Sequence, residues 1–400
     1  MKISKIETIQ AQDHPQLLWV RIYTNDGLVG TGETTPRVDS VRRIIHDVLS
    51  RMLVGQDPRD IERHWHDMFS VVHYHGYAGA ETRAISAVDI ALWDLLGQIT
   101  GQPVYRLLGG KVRDGIPIYN TCVSHGGYDD RELFLNDPRK LAQSLMSDGI
   151  SAMKIWPFDG FSEKTRGHGI SEGDLQKGVS ILAAIREECG DRMEVALEGH
   201  ACWDLPTAKK IARAVEPYNL MWLEDMMPAD NAAAMKELKD VTATPLCVSE
   251  RLFTRHQFLP ILEHHAADYI MPDICWVGGI SEILKIAVLA SVYQLPIAPH
   301  NCGGPVQTAA YAHVASHIPN LLKVETVRSF YRTFYKDIVD KAPRIEQGQL
   351  FVSERPGLGL KLKEEFLEGK GIAKEVTKDN TVSVGWTAGD PWANDLGNRF

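Results

Sequence analysis

Between Met193 and Thr326 short apolar runs recur at nearly constant spacing, and each run ends on a side chain capable of chemistry. MEVALE ends on Glu198, LMWLE on Glu224, PLCVSE on Glu250, DYIMPD on Asp273 and PIAPH on His300. A sixth run, LLKVET, carries Glu325. Successive end residues lie 23–27 positions apart. That interval holds one strand, one amphipathic helix and two short loops. A βα period with polar residues at the C-terminal ends of its strands is how a (β/α)8 barrel builds an active site.

The preceding chain reads differently. Residues 1–35 predict strands, with Asn25-Asp26-Gly27 as a hairpin turn between two β-rich runs. Residues 39–69 read as helical, interrupted by GQDPRD at 55–60. VVHYHGYAGAE, 71–81, reads as a loop carrying His73, Tyr74 and His75. TRAISAVDIALWDLLGQIT is a helix stopped by Gly101. PIYNTCVSH (117–125) and SAMKIWPF (151–158) supply the first two barrel strands. The expected division is a small α+β domain over 1–115, a barrel over 116–328 and a C-terminal segment, 329–400, packing on the first domain. That segment ends in a polar tail with Trp386 and Trp392.

Composition narrows the class. A net charge of −9 disfavours nucleic acid. The N-terminus lacks an apolar leader, and no run is long enough to span a bilayer. Six cysteines with no CxxC spacing read as reduced, structural thiols. The simplest expectation is a cytoplasmic homo-oligomeric enzyme with a small-molecule substrate and no membrane partner.

Glu198, Glu224 and Glu250 end three consecutive strands, so their carboxylates face one mouth. Like charges held together stay ionised only around a cation. An oxygen-only donor set selects a hard ion, Mg2+ first. Any one of these acids could be a loop residue; three in sequence favour a metal site. Asp273 and His300 end the next two strands, close enough for the carboxylate to fix the imidazole tautomer and make His300 a general base. Lys154 offers a fixed cation for a substrate carboxylate or enolate oxygen. Glu325 would orient substrate hydroxyls, or donate to an oxyanion if protonated.

These residues carry a resemblance. AVDIALWDLLGQITGQPVYRLLGG, WLEDMMP, SERL, PDICWVGGI and APHNCGGP resemble the mandelate racemase-like group of the enolase superfamily. The likeness covers nearly the whole chain. It implies an α+β capping domain over a (β/α)7β TIM-type barrel, and a first step that removes the proton α to a carboxylate with Mg2+ at the enediolate.

Departures narrow the subgroup. The racemases of this group end strand two on Lys-x-Lys, whereas this chain has Lys154-Ile155-Trp156. With Trp156 in place of the second lysine, racemisation is disfavoured. Strand six ends on Asp273 rather than the lysine of the lactonising enzymes. Glu198-Gly199-His200 resembles the acid-x-His of galactonate dehydratase-like members, with Glu in place of the usual Asp. The resemblance makes His200 a general acid for a leaving 3-hydroxyl. The expected activity is Mg2+-dependent dehydration of an aldonic acid to a 2-keto-3-deoxy acid. A racemase, epimerase or cycloisomerase on a sugar acid or lactone stays open, as does an inactive barrel with a binding or regulatory role. His73, Tyr74, His75, His125, Trp156 and Trp276 are the expected substrate contacts. Trp156, Trp203 and Trp276 divide about evenly between substrate contact and rim packing.

Overall fold

The structure, a computed structural model, describes residues 1–378. The tail with Trp386 and Trp392 lies outside the described residues. Strands β1 (Ile3–Ala11), β2 (Leu18–Thr24) and β3 (Val29–Thr34) form an antiparallel sheet. Gly27, in the left-handed region at φ 87°, makes the turn between β2 and β3. The helix Ala80–Thr100 packs on β3 backbone to backbone. A Cβ at Gly30 or Gly32 would run into the carbonyls of Ala91 or Ala87, so small residues on both partners set this approach.

The barrel starts at β4 (Gly115–Thr121) and runs through β5 (Ala152–Ile155), β6 (Glu194–Glu198), β7 (Trp222–Glu224), β8 (Leu246–Val248) and β9 (Tyr269–Ile270) in parallel order. Ile297 bridges Ile270 on one side and Leu321 on the other. β10 (Val324–Thr326) then pairs with β4 and closes the ring. Tyr119, Ala152, Ala196, Trp222, Cys247, Met271 and Ala298 fill the interior.

The C-terminal segment divides between the two bodies instead of packing only on the first. β11 (Arg344–Glu346) and β12 (Gln349–Phe351) form a hairpin on the N-terminal half of β4. β13 (Ile372–Lys378) adds to the cap sheet beside β1. Among the described residues no helix is long and apolar enough to cross a membrane, and the six cysteines are free.

Candidate active site

Side chains alternate along a strand, so the residue two positions after an interior one points the same way, one layer nearer the mouth. Two positions beyond Ala152, Ala196, Trp222, Met271 and Ala298 stand Lys154, Glu198, Glu224, Asp273 and His300. Glu250 breaks this phase. The inward position after Cys247 belongs to Ser249, and Glu250 follows it, outside β8.

Lys154, fully buried, is the hub of the layer. Its Nζ lies 3.1 Å from Glu198 and 3.0 Å from Glu325, and it also donates to Glu224. Trp222 Nε1 donates to the other Glu224 oxygen at 2.8 Å. Burial pushes the Lys154 pKa down, but Glu224 and Glu325 outweigh it and hold the ammonium well above its ordinary range. Burial likewise pushes Glu325 up, and Lys154 with His300 brings it down to about 2. Lys154 beside it favours the carboxylate form of Glu325. Glu325 accepts from Asn301 N at 2.8 Å and from Thr121.

The acids do not share that cation equally. Burial raises Glu198, and Lys154 brings it below the ordinary carboxylate range. Burial and the Glu198 charge keep Glu224 well above that range. Asp225, absent from the expected ligands, accepts from Ser249 Oγ at 2.5 Å and lies within reach of the Glu250 charge. Burial and the charges of Glu250 and Glu198 push it well up. Asp225 Oδ1 and Glu250 Oε2 are buried and have no hydrogen-bond partner among the described residues. The neighbouring cation, Arg251, keeps its Nε 3.4 Å from Asp225 and 3.7 Å from Glu250. Among the described residues, potential ligand atoms of His300, Cys302 and Glu325 lie within 4.8 Å of one another, whereas those of Glu198, Glu224 and Glu250 are not drawn to that spacing; the orphaned oxygens of Asp225 and Glu250 still suit a hard cation.

His300 Nδ1 bonds Asp273 Oδ2 at 2.6 Å, while Asp273 Oδ1 accepts from Cys275 N and Gln307 Nε2. His300 Nε2 faces Glu325 at 3.8 Å. Burial lowers the His300 pKa, but the Glu325 charge carries it well above the usual value. His200 has a partner of the same kind, Asp159, whose Oδ2 lies 2.5 Å from its Nδ1. Burial opposes and Glu198 then Asp159 favour the imidazolium, with a net rise. His200 and Ala201 both sit in the left-handed region, at φ 44° and 56°. Two consecutive non-glycine residues there store strain, and the turn is held by His200 N donating to Glu198 at 2.8 Å and Ala201 N to Asp225 O at 2.6 Å. Asp159 had a signal in the sequence: a histidine acid needs a carboxylate, and Asp159 follows strand two.

The expected substrate contacts separate into two groups. Trp156 meets the His200 ring edge-on at 5.6 Å, and Trp276 packs on His300 at 5.3 Å. Trp203 is buried in the core. His125 packs on Phe330 and Phe334 of the C-terminal segment. His73 ends the helix Ile61–His73 instead of lying in a loop, and stacks on Tyr77. Tyr74 packs on His75 and is 69% exposed.

Comparison with known proteins agrees with this architecture. Residues 4–109 match the model for the mandelate racemase/muconate lactonizing enzyme N-terminal domain, and residues 137–366 match the enolase C-terminal domain-like model. The chain is 32% identical to a D-xylonate dehydratase of Haloferax volcanii over 94% of its length and 91% of the relative's. It is 31% identical to a D-galactonate dehydratase of Pectobacterium atrosepticum, covering 92% of this chain and 94% of that one. A crystal structure of a mandelate racemase-subgroup enolase from Agrobacterium tumefaciens superimposes with a TM-score of 0.89 at 38% identity, over 96% of this chain and all of that one. A closed parallel barrel under a strand-rich cap, with acids and histidines on its strand ends, places this chain in the mandelate racemase/muconate lactonizing enzyme family of the enolase superfamily.

Proposed function

We propose that this enzyme dehydrates an acid sugar to the 2-keto-3-deoxy acid. One observation carries the reading: two imidazoles, each bonded through Nδ1 to its own carboxylate, stand on the third and seventh of eight barrel positions. Those positions face each other across the mouth, with Lys154 and its acids between them. Elimination of water needs one base and one acid at neighbouring carbons.

His300, its tautomer fixed by Asp273, takes the C2 proton on Nε2 in its neutral form, so the high pKa that Glu325 gives it makes the base-active fraction grow as pH rises. His200, whose pKa is raised, gives a proton to the C3 hydroxyl, which leaves as water. The enol then ketonises. Lys154 faces the C1 carboxylate and balances charge that develops there. Glu198, Glu224 and Glu250 would hold Mg2+, with Asp225 beside them; when bound it supplies Lewis-acid stabilisation of the enediolate. The names of the relatives, D-xylonate and D-galactonate dehydratase, support this class of substrate.

Proton NMR in D2O tests the assignment on any sugar acid that is turned over. His300→Asn should neither exchange the C2 proton nor form product. His200→Asn should incorporate deuterium at C2 while losing about 10²–10⁴ in dehydration rate. Dehydration by His200→Asn at the parent rate would remove the general-acid role. Retention of the hydroxyl in a C2-inverted product would make the enzyme an epimerase.

A further inference from the structure

Arg83 stands near the start of the cap helix Ala80–Thr100, yet its guanidinium lies against the barrel. Its carbon is 4.4 Å from the centre of the Trp276 ring and 5.4 Å from that of Phe253. Trp276 follows Asp273 in the loop after β9, and Phe253 follows Glu250 in the loop after β8. Arg83 is thus at the C-terminal mouth, against the same indole ring that packs on His300.

Beyond these ring contacts, Arg83 has no hydrogen-bond or ion-pair partner among the described residues. Arg83 Nε is buried without a hydrogen-bond partner, and so is Trp276 Nε1 in the ring it covers. The carboxylate whose charge reaches Arg83 is Asp273, already engaged by His300, Cys275 N and Gln307. A second cap arginine, the exposed Arg37, adds positive charge instead of relieving it. Burial accordingly pulls the Arg83 pKa below its ordinary value. Desolvated charge and orphaned donors at a binding mouth call for an acceptor from the ligand. The planar fork of a guanidinium matches a carboxylate at two points.

Direction along the substrate follows from the site. Lys154 and the acid cluster mark the C1 end and His300 marks C2. Arg83 meets the Trp276 ring that also packs on His300, and Lys154 is not among the charges that bear on it, so Arg83 is assigned to the far end of the carbon chain. We propose that Arg83, with Trp276 Nε1, forms a subsite for a second, distal carboxylate, so that the substrates are dicarboxylic (aldaric) acid sugars. This rests on the dehydratase reading, and it departs from the monocarboxylic acids in the names of the relatives.

The test pairs aldonic and aldaric acids of equal length and stereochemistry, such as galactonate and galactarate, with Mg2+ present. The wild-type enzyme should favour the aldarate in kcat/KM. Arg83→Met should cut that preference about a hundredfold, and Arg83→Lys, which keeps the charge, should restore much of it. Calorimetry on His300→Asn, which should not turn over, reads binding alone: galactarate should bind more tightly than galactonate, and the added Arg83→Met change should abolish the difference. Equal binding of the two acids, or an equal loss for both in Arg83→Met, would overturn the distal subsite. If aldonates are dehydrated and aldarates are not, the subsite reading fails while the dehydratase reading stands. If neither acid is turned over but galactarate binds through Arg83, the subsite stands and the reaction must be sought elsewhere.

Discussion

Glu33, carried by β3 of the cap, accepts the backbone N–H of Gly304, at the start of the barrel helix Pro305–His317, at 2.7 Å. The same carboxylate accepts from Val306 N and Gln307 N, each at 3.3 Å, and from Trp19 Nε1 at 2.9 Å. Both oxygens are filled by donors, although burial pushes the group up to about 7. A cap residue therefore holds the helix start just after His300 and Asn301, in the way an anion holds a helix N-terminus.

Replacing Glu33 with Gln turns an amide N–H2 toward donors that need an acceptor. The expected loss is about 1–3 kcal/mol in denaturant unfolding. Turnover should fall as well, because the displaced segment carries His300. Unchanged unfolding together with unchanged kcat would show that this contact neither stabilises nor positions.

Asp89, on the long cap helix, accepts from Ser281 Oγ at 2.6 Å and Ser281 N at 3.0 Å. Burial pushes its pKa up to about 7 from an ordinary 3.8. A carboxyl whose folded pKa is raised stabilises the fold fully below its ordinary value, and that stabilisation is lost as pH rises through 7. Relative to Asp89→Asn, wild-type stability should therefore decline from about pH 4 to pH 7 by a few kcal/mol at most. Parallel urea-unfolding profiles for the two proteins across that range would remove the buried charge from the account.

Lys154 is the ammonium shared by Glu198, Glu224 and Glu325. Lys154→Met leaves buried carboxylates uncompensated and should cost about 3–5 kcal/mol in chelator. Added Mg2+ should restore part of that loss, since a second cation relieves the same acids. A Tm drop of equal size with and without Mg2+ would separate Lys154 from the metal-binding acids.

Mg2+ should raise the Tm of the wild-type protein in a concentration-dependent way, by mass action on the folded state. Glu250→Gln should weaken that shift and lower activity at subsaturating Mg2+. Thermal scans against added Mg2+ measure both. A wild-type Tm and turnover indifferent to exhaustive chelation would exclude the metal site.

The local signals along the chain determine much of this molecule. A βα spacing of 23–27 residues, apolar strand runs and helix stops such as Gly101 are short-range properties, set by periodicity and backbone preference. They place Lys154, Glu198, Glu224, Asp273 and His300 at strand ends, because side-chain alternation is built into each strand. Contacts between segments distant in sequence were decided only by the tertiary structure. Asp159 reaches His200 across 41 positions, and Glu33 reaches Gly304 across 271. Glu250 stands three residues after the inward Cys247, one out of the inward phase, with Asp225 beside it. Arg83 belongs to a helix whose pattern reads as packing, and only the docking of cap on barrel sets it over Trp276. Periodicity records which way a residue points along its own element; which residue it meets depends on how the elements are assembled.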